Sequence, residues 1–185
     1  NRFQFDAGIR GKLSNKFGAA GRLFYNQYND LPLFITDTMG QNRFMVIRDD
    51  VQLIRLNVEF NYLFSEKFRS SLAFNYYNYS MTDQDKPWML PDLDLKWNST
   101  YNLGDKLLFG VDIFVTGKRY NTIAYTDSTI ELSPIFDASL SIDYRYKKNI
   151  SAFVKLNNLA AQHYQYWSNY PVYGFNFILG VAIGL

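Results

Sequence analysis

The sequence predicts an all-β protein, an antiparallel transmembrane β-barrel with up-and-down meander topology in which about nine strands are present. Three observations lead to this fold class. Apolar and polar residues alternate over long stretches, and the connections between those stretches are alternately short and long. Aromatic residues are abundant, with fifteen Tyr, sixteen Phe and three Trp among 185 residues. No segment shows a sustained helical period of 3.6 residues.

The composition excludes several other classes. The chain has no Cys and one His, which removes disulfide scaffolds and Cys-ligated zinc or iron–sulfur centres. The aromatic content is too high for a disordered chain. With a net charge of +2 and scattered Lys and Arg, no basic stripe is available for nucleic acid. Transmembrane helices need about eighteen consecutive apolar residues, which the sequence lacks. We expect no cofactor.

The first strand is predicted over 3–13, where apolar residues at odd positions alternate with polar or small residues at even positions. This period of two indicates a strand with one apolar face. The same alternation returns over 54–62, 92–103, 107–118 and 136–146.

The last strand is predicted over 174–185, where the polar positions are filled by small residues. Less regular strands are predicted over 17–29, 67–80 and 149–159. The total is nine strands, each about as long as the nine to eleven residues that a tilted strand needs to cross a bilayer, or longer. A soluble sandwich or lipocalin also alternates, but its strands rarely need ten alternating positions in succession. The length and the aromatic excess favour the membrane barrel.

The connections give the stronger argument. Four are tight and polar: 14–16, 65–67, 104–106 and 147–149. Four are long: 30–42, 81–91, 120–134 and 160–172. Short and long connections alternate along the chain, as expected for an outer-membrane barrel with short periplasmic turns and longer extracellular loops. A soluble meander has no reason to sort its connections in this way.

This orientation places Leu185 at the periplasmic end and Asn1 near the extracellular rim. Proteins reach the outer membrane from the periplasm, so we expect more chain before Asn1. Single-chain bacterial barrels use even strand numbers, and unpaired strand edges are not tolerated in lipid. The nine strands are therefore expected to be the closing portion of a larger barrel.

The C-terminal part resembles TonB-dependent outer-membrane receptors. The resemblance rests on 151–159 (SAFVKLNNL), followed by Tyr164, Trp167, Tyr170-Pro171-Val172, Gly174-Phe175-Asn176 and Gly180. Pro87-Trp88, Pro91, 101–106 (YNLGDK) and Pro134 with Asp137 also look like segments of these receptors. It covers most of 85–185 and is thinner before that.

The resemblance implies that 1–185 is the C-terminal segment of one 22-stranded barrel domain in the outer membrane of a Gram-negative bacterium. It implies four partners besides lipid: the upstream strands, a plug domain not present in this chain, a TonB-type energy-transducing protein and a surface lipoprotein. It also implies uptake of a scarce nutrient without enzymatic activity. A passive porin or structural barrel would share every periodic feature and stays open, as does a soluble ligand-binding β-protein.

Two groups of residues are candidates for ligand contact. Charged residues at polar positions of the strands are expected to face the lumen and to pair across strands or with a plug: Asp92, Asp94, Lys96, Lys118, Asp137 and Arg145. Aromatic residues in or near the long connections could stack on a flat ligand such as a sugar: Trp88, Tyr164, Trp167 and Tyr170.

Those aromatics have a second interpretation, the aromatic girdle at the membrane surface. For side chains on the lipid face the girdle is favoured, in a set that also includes Tyr76, Tyr77, Tyr79, Tyr166 and Tyr173. Phe17, Phe64, Phe68, Tyr144 and Tyr146 are predicted to form the inner girdle.

Catalytic and metal chemistry have little support. His163 is the single histidine and no nucleophile motif accompanies it, so a loop histidine is favoured over the general base of a hydrolase. Asp83 and Asp85 could serve a hard cation, but a solvated loop is favoured.

Overall fold

A computed structural model describes residues 3–37, 43–123, 126 and 128–184. Its main element is one nine-stranded antiparallel sheet with the order β1-β2-β3-β4-β5-β6-β9-β10-β13. The strands are β1 (Phe3–Lys12), β2 (Phe17–Thr36), β3 (Phe44–Ser65), β4 (Phe68–Met81), β5 (Leu93–Leu103), β6 (Leu107–Thr116), β9 (Ile135–Lys147), β10 (Ile150–Asn157) and β13 (Asn176–Ile183). The predicted nine-stranded meander is confirmed.

The sheet is open, with β1 at one edge and β13 at the other. Two small hairpins lie outside it, β7 (Arg119–Thr122) with β8 (Thr129–Leu132) and β11 (Gln165–Trp167) with β12 (Tyr170–Pro171). The described part of the chain holds no helix with the length and apolar character needed to cross a membrane. Asn1 and Leu185, whose positions the sequence assigns to the two rims, lie outside the described residues.

The register gives the sheet one apolar face. One cross-strand row joins Leu23, Leu56, Tyr76 and Leu93. Another joins Leu95 to Val115 and Phe136. Because side chains alternate with a period of two, residues one position away form the opposite, polar face.

The apolar face packs against nothing within the described chain. Ile9 is 81% exposed and Val181 is 68% exposed, whereas the inward face of a soluble sandwich would be covered by a second sheet. The few deeply buried apolar side chains lie at the loop end, among them Leu33, Val51 and Ile135. The chain therefore has no hydrophobic core of its own in the middle of the sheet.

The tight turns all lie at the same end of the strands, as predicted. Each accepts a hydrogen bond from the strand that follows it in the sheet, for example from Leu63 N to Lys16 O at 2.7 Å and from Asn102 N to Lys67 O at 2.8 Å. We call this end of the strands the turn end and the opposite end the loop end.

The predicted long loop 30–42 is partly wrong, because β2 continues to Thr36 and β3 begins at Phe44. The sequence around Asp30 suggests a turn, but the structure has an irregularity in the β2–β3 register there. Asp30 takes a φ of 53° and its backbone N–H donates to Asp50 at 2.9 Å. A bulge of this kind absorbs turn-forming residues without ending the strand. Two of the other long connections also contain short strands. The connection 120–134 includes β8 and most of β7, and 160–172 includes β11 and β12.

Aromatic rings form a continuous band on the apolar face near the turn end. Phe17 contacts Phe60 and Tyr62, and Phe64 and Phe68 continue the band to Tyr101, with ring centroids 5.8–6.5 Å apart. The predicted inner-girdle residues Phe17, Phe64 and Phe68 belong to it.

The predicted outer girdle needs a correction at two tyrosines. Tyr76 lies on the apolar face, but Tyr77 and Tyr79 lie on the polar face and stack on each other with centroids 6.1 Å apart. The alternation explains this, because consecutive residues of a strand cannot share a face.

Candidate functional site

The polar face forms a hollow of about 660 Å³ across β5, β6, β9 and β10. Lys96, Phe114 and Asp137 stand side by side in one cross-strand row. Asp94 lies one step nearer the loop end, where it accepts a 3.0 Å hydrogen bond from Thr116 Oγ1. The hollow is also lined by Asn98, Asp112, Ser139, Lys155, Asn157 and Tyr166. It therefore presents both signs of charge together with amide and phenol groups.

Asp137 is the buried carboxylate of this hollow, at 7% exposure. Its Oδ2 accepts a 2.6 Å hydrogen bond from the Tyr164 hydroxyl, and its Oδ1 accepts one from Ser139 at 3.4 Å. Burial, with the Asp137 hydrogen bond next, raises the pKa of Tyr164 well above its usual value. The tyrosine therefore stays protonated and remains a donor.

Three rings lie together at the loop end of the hollow. Tyr164 meets Phe114 and Tyr166 edge-on, with centroids 6.2 and 5.5 Å apart. Tyr166 also lies parallel to Phe114 at 6.2 Å. Burial raises the pKa of Tyr166 as well.

Asn158 organises the segment that carries these tyrosines. Asn158 directly follows β10, and its side chain is buried. The side-chain amide donates to the carbonyls of Gln162 and Tyr173, and Oδ1 accepts a hydrogen bond from the Gln162 backbone N–H. Its φ of 49° lies in the left-handed region, which Asn tolerates better than most residues. This gives a physical reason for the Asn at the second position of the Asn157-Asn158-Leu159 motif.

Arg119 ties two loops together. The side chain is 3% exposed and donates from one terminal nitrogen to the carbonyls of Gln165 and Tyr166, at 2.9 and 2.8 Å. The other terminal nitrogen donates to Ser133 O at 3.4 Å. Its Nε is buried without a hydrogen-bond partner. Burial lowers the pKa of the guanidinium.

A second tie joins the β7–β8 hairpin to the tip of β2. The fully buried Asn121 accepts from Thr36 N at 3.1 Å and donates to Thr36 Oγ1 at 2.7 Å. Thr122 Oγ1 donates to Thr36 O at 2.8 Å. The end of β2, the β7–β8 hairpin and the segment around Gln165 are thus tied together at the loop end.

The charged candidates occupy different places. Asp94, Lys96 and Asp137 line the hollow, and Asp92 lies just before β5 against Gly117. Lys118 is exposed and pairs with Glu131 at 3.7 Å. Arg145 lies near the turn end, where its N–H donates to Lys106 O, so it is far along the strand from the other charges.

The four aromatic candidates fall into two groups, two that are buried and two that keep exposed surface. Trp88 is 8% exposed and donates from Nε1 to Gln84, and Tyr164 is equally buried, so neither offers a free face. Trp167 packs edge-on against Phe34 and Phe44, and Tyr170 stacks on Phe44 at 5.4 Å. Both remain partly exposed at the loop end, at 41% and 53%.

Sequence reasoning missed Arg119 and Asn121, and it assigned Arg55 to the polar face without predicting its contact with Phe24. The Arg55 guanidinium lies 3.9 Å from the centre of the Phe24 ring. Periodicity does not reveal Arg119 and Asn121, because their partners are backbone carbonyls and a threonine on distant segments.

His163 is exposed and lies beside Gly174. Asp83 is exposed, and its backbone N–H donates to the buried Asp49. Among the described residues, no group of three or more His, Asp or Glu side chains is placed to hold a metal ion.

Neither a family model nor a curated protein matches this sequence. Solved structures match the fold. The siderophore receptor PiuA from Acinetobacter baumannii matches with a TM-score of 0.72 and 15% identity over 97% of this chain and 28% of that chain. The ferric-catecholate import receptor Fiu from E. coli K12 matches with 0.76 and 11% over 97% and 27%. The pyoverdine outer membrane receptor FpvA from Pseudomonas aeruginosa PAO1 matches with 0.76 and 13% over 98% and 29%.

The chain thus spans less than a third of each of these structures. At such low identity the likeness shows the fold: the nine-stranded sheet has the fold of part of an outer-membrane receptor barrel. This agrees with the family resemblance found in the sequence.

Proposed function

We propose that residues 1–185 are the C-terminal segment of a single outer-membrane β-barrel domain in a Gram-negative bacterium. The observation that carries this is the sheet with one continuous apolar face exposed and one polar face. Soluble monomers rarely expose apolar patches beyond a few hundred Å², whereas lipid requires such a face. The upstream strands and a plug domain would complete the molecule.

We further propose that the complete protein is a receptor for TonB-dependent uptake of a scarce nutrient, without enzymatic activity. The interlocked loops and the mixed-charge hollow at the loop end suit ligand capture. The structures with the same fold include a siderophore receptor, a pyoverdine receptor and a copper transporter, as their names state. A TonB-type protein would act through the plug, and a surface lipoprotein would dock over the loops.

Within this chain, Asp94, Lys96 and Asp137 are proposed to face the ligand or the plug, since they line the hollow. Trp167 and Tyr170 are the candidate aromatic contacts, since they keep exposed surface. Trp88 and Tyr164 would act as anchors of the loops instead. Arg145 lies near the turn end, away from the hollow, and is therefore not proposed to contact a ligand there.

The test uses the complete protein. Cell fractionation should place it in the outer membrane, and its purification should require detergent. The purified periplasmic domain of the organism's TonB protein should bind it, and a variant lacking the N-terminal segment that contacts TonB should not bind. Recovery from the soluble fraction would contradict the barrel, and a lack of TonB binding would contradict the receptor.

A passive porin is distinguished by permeability. Liposomes containing the complete protein should not swell in glucose if a plug fills the lumen. Rapid swelling, with the protein still in the outer membrane, would favour the porin.

A further inference from the structure

Lysines are concentrated at the turn end. The four tight connections together contain five lysines and two acidic residues, namely Lys16, Lys67, Lys106, Lys147 and Lys148 against Glu66 and Asp105. Asp105 is engaged locally, as it accepts from Asn102 at 2.9 Å. The turn end therefore carries an excess of positive charge.

Three of these lysines occupy equivalent positions. Lys16, Lys67 and Lys106 each close a turn, and the carbonyl of each accepts a hydrogen bond from the next hairpin, at 2.7–2.8 Å. Successive hairpins are two strands apart, so these lysines repeat about every 10 Å along the rim. Lys67 and Lys106 are exposed.

An aromatic groove lies directly beside this row. It has a volume of about 410 Å³ and is lined by Phe64, Ser65, Lys67, Phe68 and Tyr101. Phe64 is 59% exposed, and Phe68 lies 6.2 Å from Phe64 and 6.5 Å from Tyr101 between ring centroids. The groove opens on the apolar face, so an apolar chain can lie in it while a charged group reaches Lys67.

The described residues of the loop end show no such row. Its connection 82–92 carries three Asp and one Lys. Lys118 pairs with Glu131, and Arg119 is buried. The positive rim is therefore a property of the turn end and not of the sheet in general.

We propose that the turn end binds an anionic phospholipid, with its phosphate at Lys67 and a neighbouring rim lysine and its acyl chain along the aromatic groove. Lys16 contributes less, because its Nζ already donates to Phe64 O at 3.0 Å. The inference rests on the proposed orientation in a bilayer. Lysines near an anionic surface strengthen lipid binding by electrostatic attraction.

The test reconstitutes the complete protein into vesicles of phosphatidylcholine and into vesicles with one third phosphatidylglycerol. After extraction, native mass spectrometry counts the phosphatidylglycerol and phosphatidylcholine molecules retained. Wild type should retain phosphatidylglycerol preferentially. The variant K67Q/K106Q should weaken that preference by about fivefold for each lysine removed. At an ionic strength of about 1 M, where the Debye length is about 3 Å, the preference should largely disappear.

The matched control is R48Q/K118Q, which removes two exposed positive charges at the loop end and should leave the preference unchanged. Equal retention of the two lipids by wild type, or an equal loss in both variants, would overturn the lipid site while leaving the barrel intact. Failure to insert into either vesicle would instead contradict the proposed outer-membrane function and, with it, the lipid site.

Discussion

The Tyr164 hydroxyl donates a 2.6 Å hydrogen bond to Oδ2 of Asp137 and so fastens the segment after β10 to the polar face of β9. The two residues are 27 positions apart in the sequence. Both are buried, so the interaction is protected from water at the rim of the hollow.

Replacing Tyr164 by Phe should loosen this segment. The change keeps the ring but leaves a buried carboxylate without its strongest donor, which costs roughly 1.5–3 kcal/mol for a hydrogen bond to a charged group. Amide hydrogen exchange over 160–167 should accelerate by about tenfold or more. Tyr170→Phe is the control, because Tyr170 is half exposed and contacts Phe44 through its ring. Unchanged exchange in Tyr164→Phe would contradict the anchoring role.

The same tyrosine predicts a response to alkaline pH. The folded protein holds the Tyr164 proton beyond the usual pKa of 10.0, because burial and the Asp137 carboxylate disfavour the phenolate. An opened segment would ionise near 10.0, so the contact has its full strength below about pH 10 and weakens as the pH rises above it. Difference titration of tyrosinate absorbance, wild type minus Tyr164→Phe, should show a group ionising well above pH 10. A difference centred at 10 would show that the tyrosine is solvated.

Asn121 should be essential for the interlock of the loops. Asn121→Ala removes two hydrogen bonds to Thr36 in a fully buried site, at a cost of about 1–3 kcal/mol. Exchange of the Thr36 amide, which donates to Asn121, should rise by about tenfold, and Asn29→Ala, at an exposed position, should leave it unchanged. An unchanged exchange rate of the Thr36 amide in Asn121→Ala would contradict the contact.

The sequence predicts the parts of the fold that depend on the contrast between lipid and water on the two faces of the sheet. Leu56 and Val115 were assignable to the apolar face because lipid on one side and a polar lumen on the other impose a strict period of two. The bulge at Asp30 was not predictable, since Asn-Asp-Leu-Pro is a turn signal in most contexts. The hydrogen bond to Asp50 and the β2–β3 pairing that resumes at Leu31 form only in the folded sheet.

The hollow was predicted less completely. Asp94, Lys96 and Asp137 follow from alternation alone, because each occupies a polar position of a regular strand. Arg119 and Asn121 do not, since their roles depend on carbonyls and a threonine that only tertiary structure brings near. The motif around Asn158 carried a resemblance, but the reason for it, a left-handed Asn that organises Gln162 and Tyr173, appears only in the structure.

Trp97 provides a direct test of which face meets lipid. It lies on the apolar face between Leu72 and Ile113, and its Nε1 donates to Ser70 Oγ at 2.7 Å, so its one polar group is satisfied without water. It stands six residues before Leu103, the last residue of β5. For a strand tilted by about 45° this corresponds to roughly 14 Å, near the middle of an apolar band of about 25 Å. Phospholipids brominated in mid-chain should therefore quench its fluorescence.

The measurement compares the quenched fraction in the complete protein before and after single substitutions. Trp97→Phe should remove most of the quenching contributed by this segment. Trp88→Phe and Trp167→Phe should leave that contribution nearly unchanged, because Trp88 is buried among the loops and Trp167 packs on Phe34 and Phe44 at the loop end. Quenching that depends on Trp88 and not on Trp97 would mean that the apolar face of the sheet does not meet lipid.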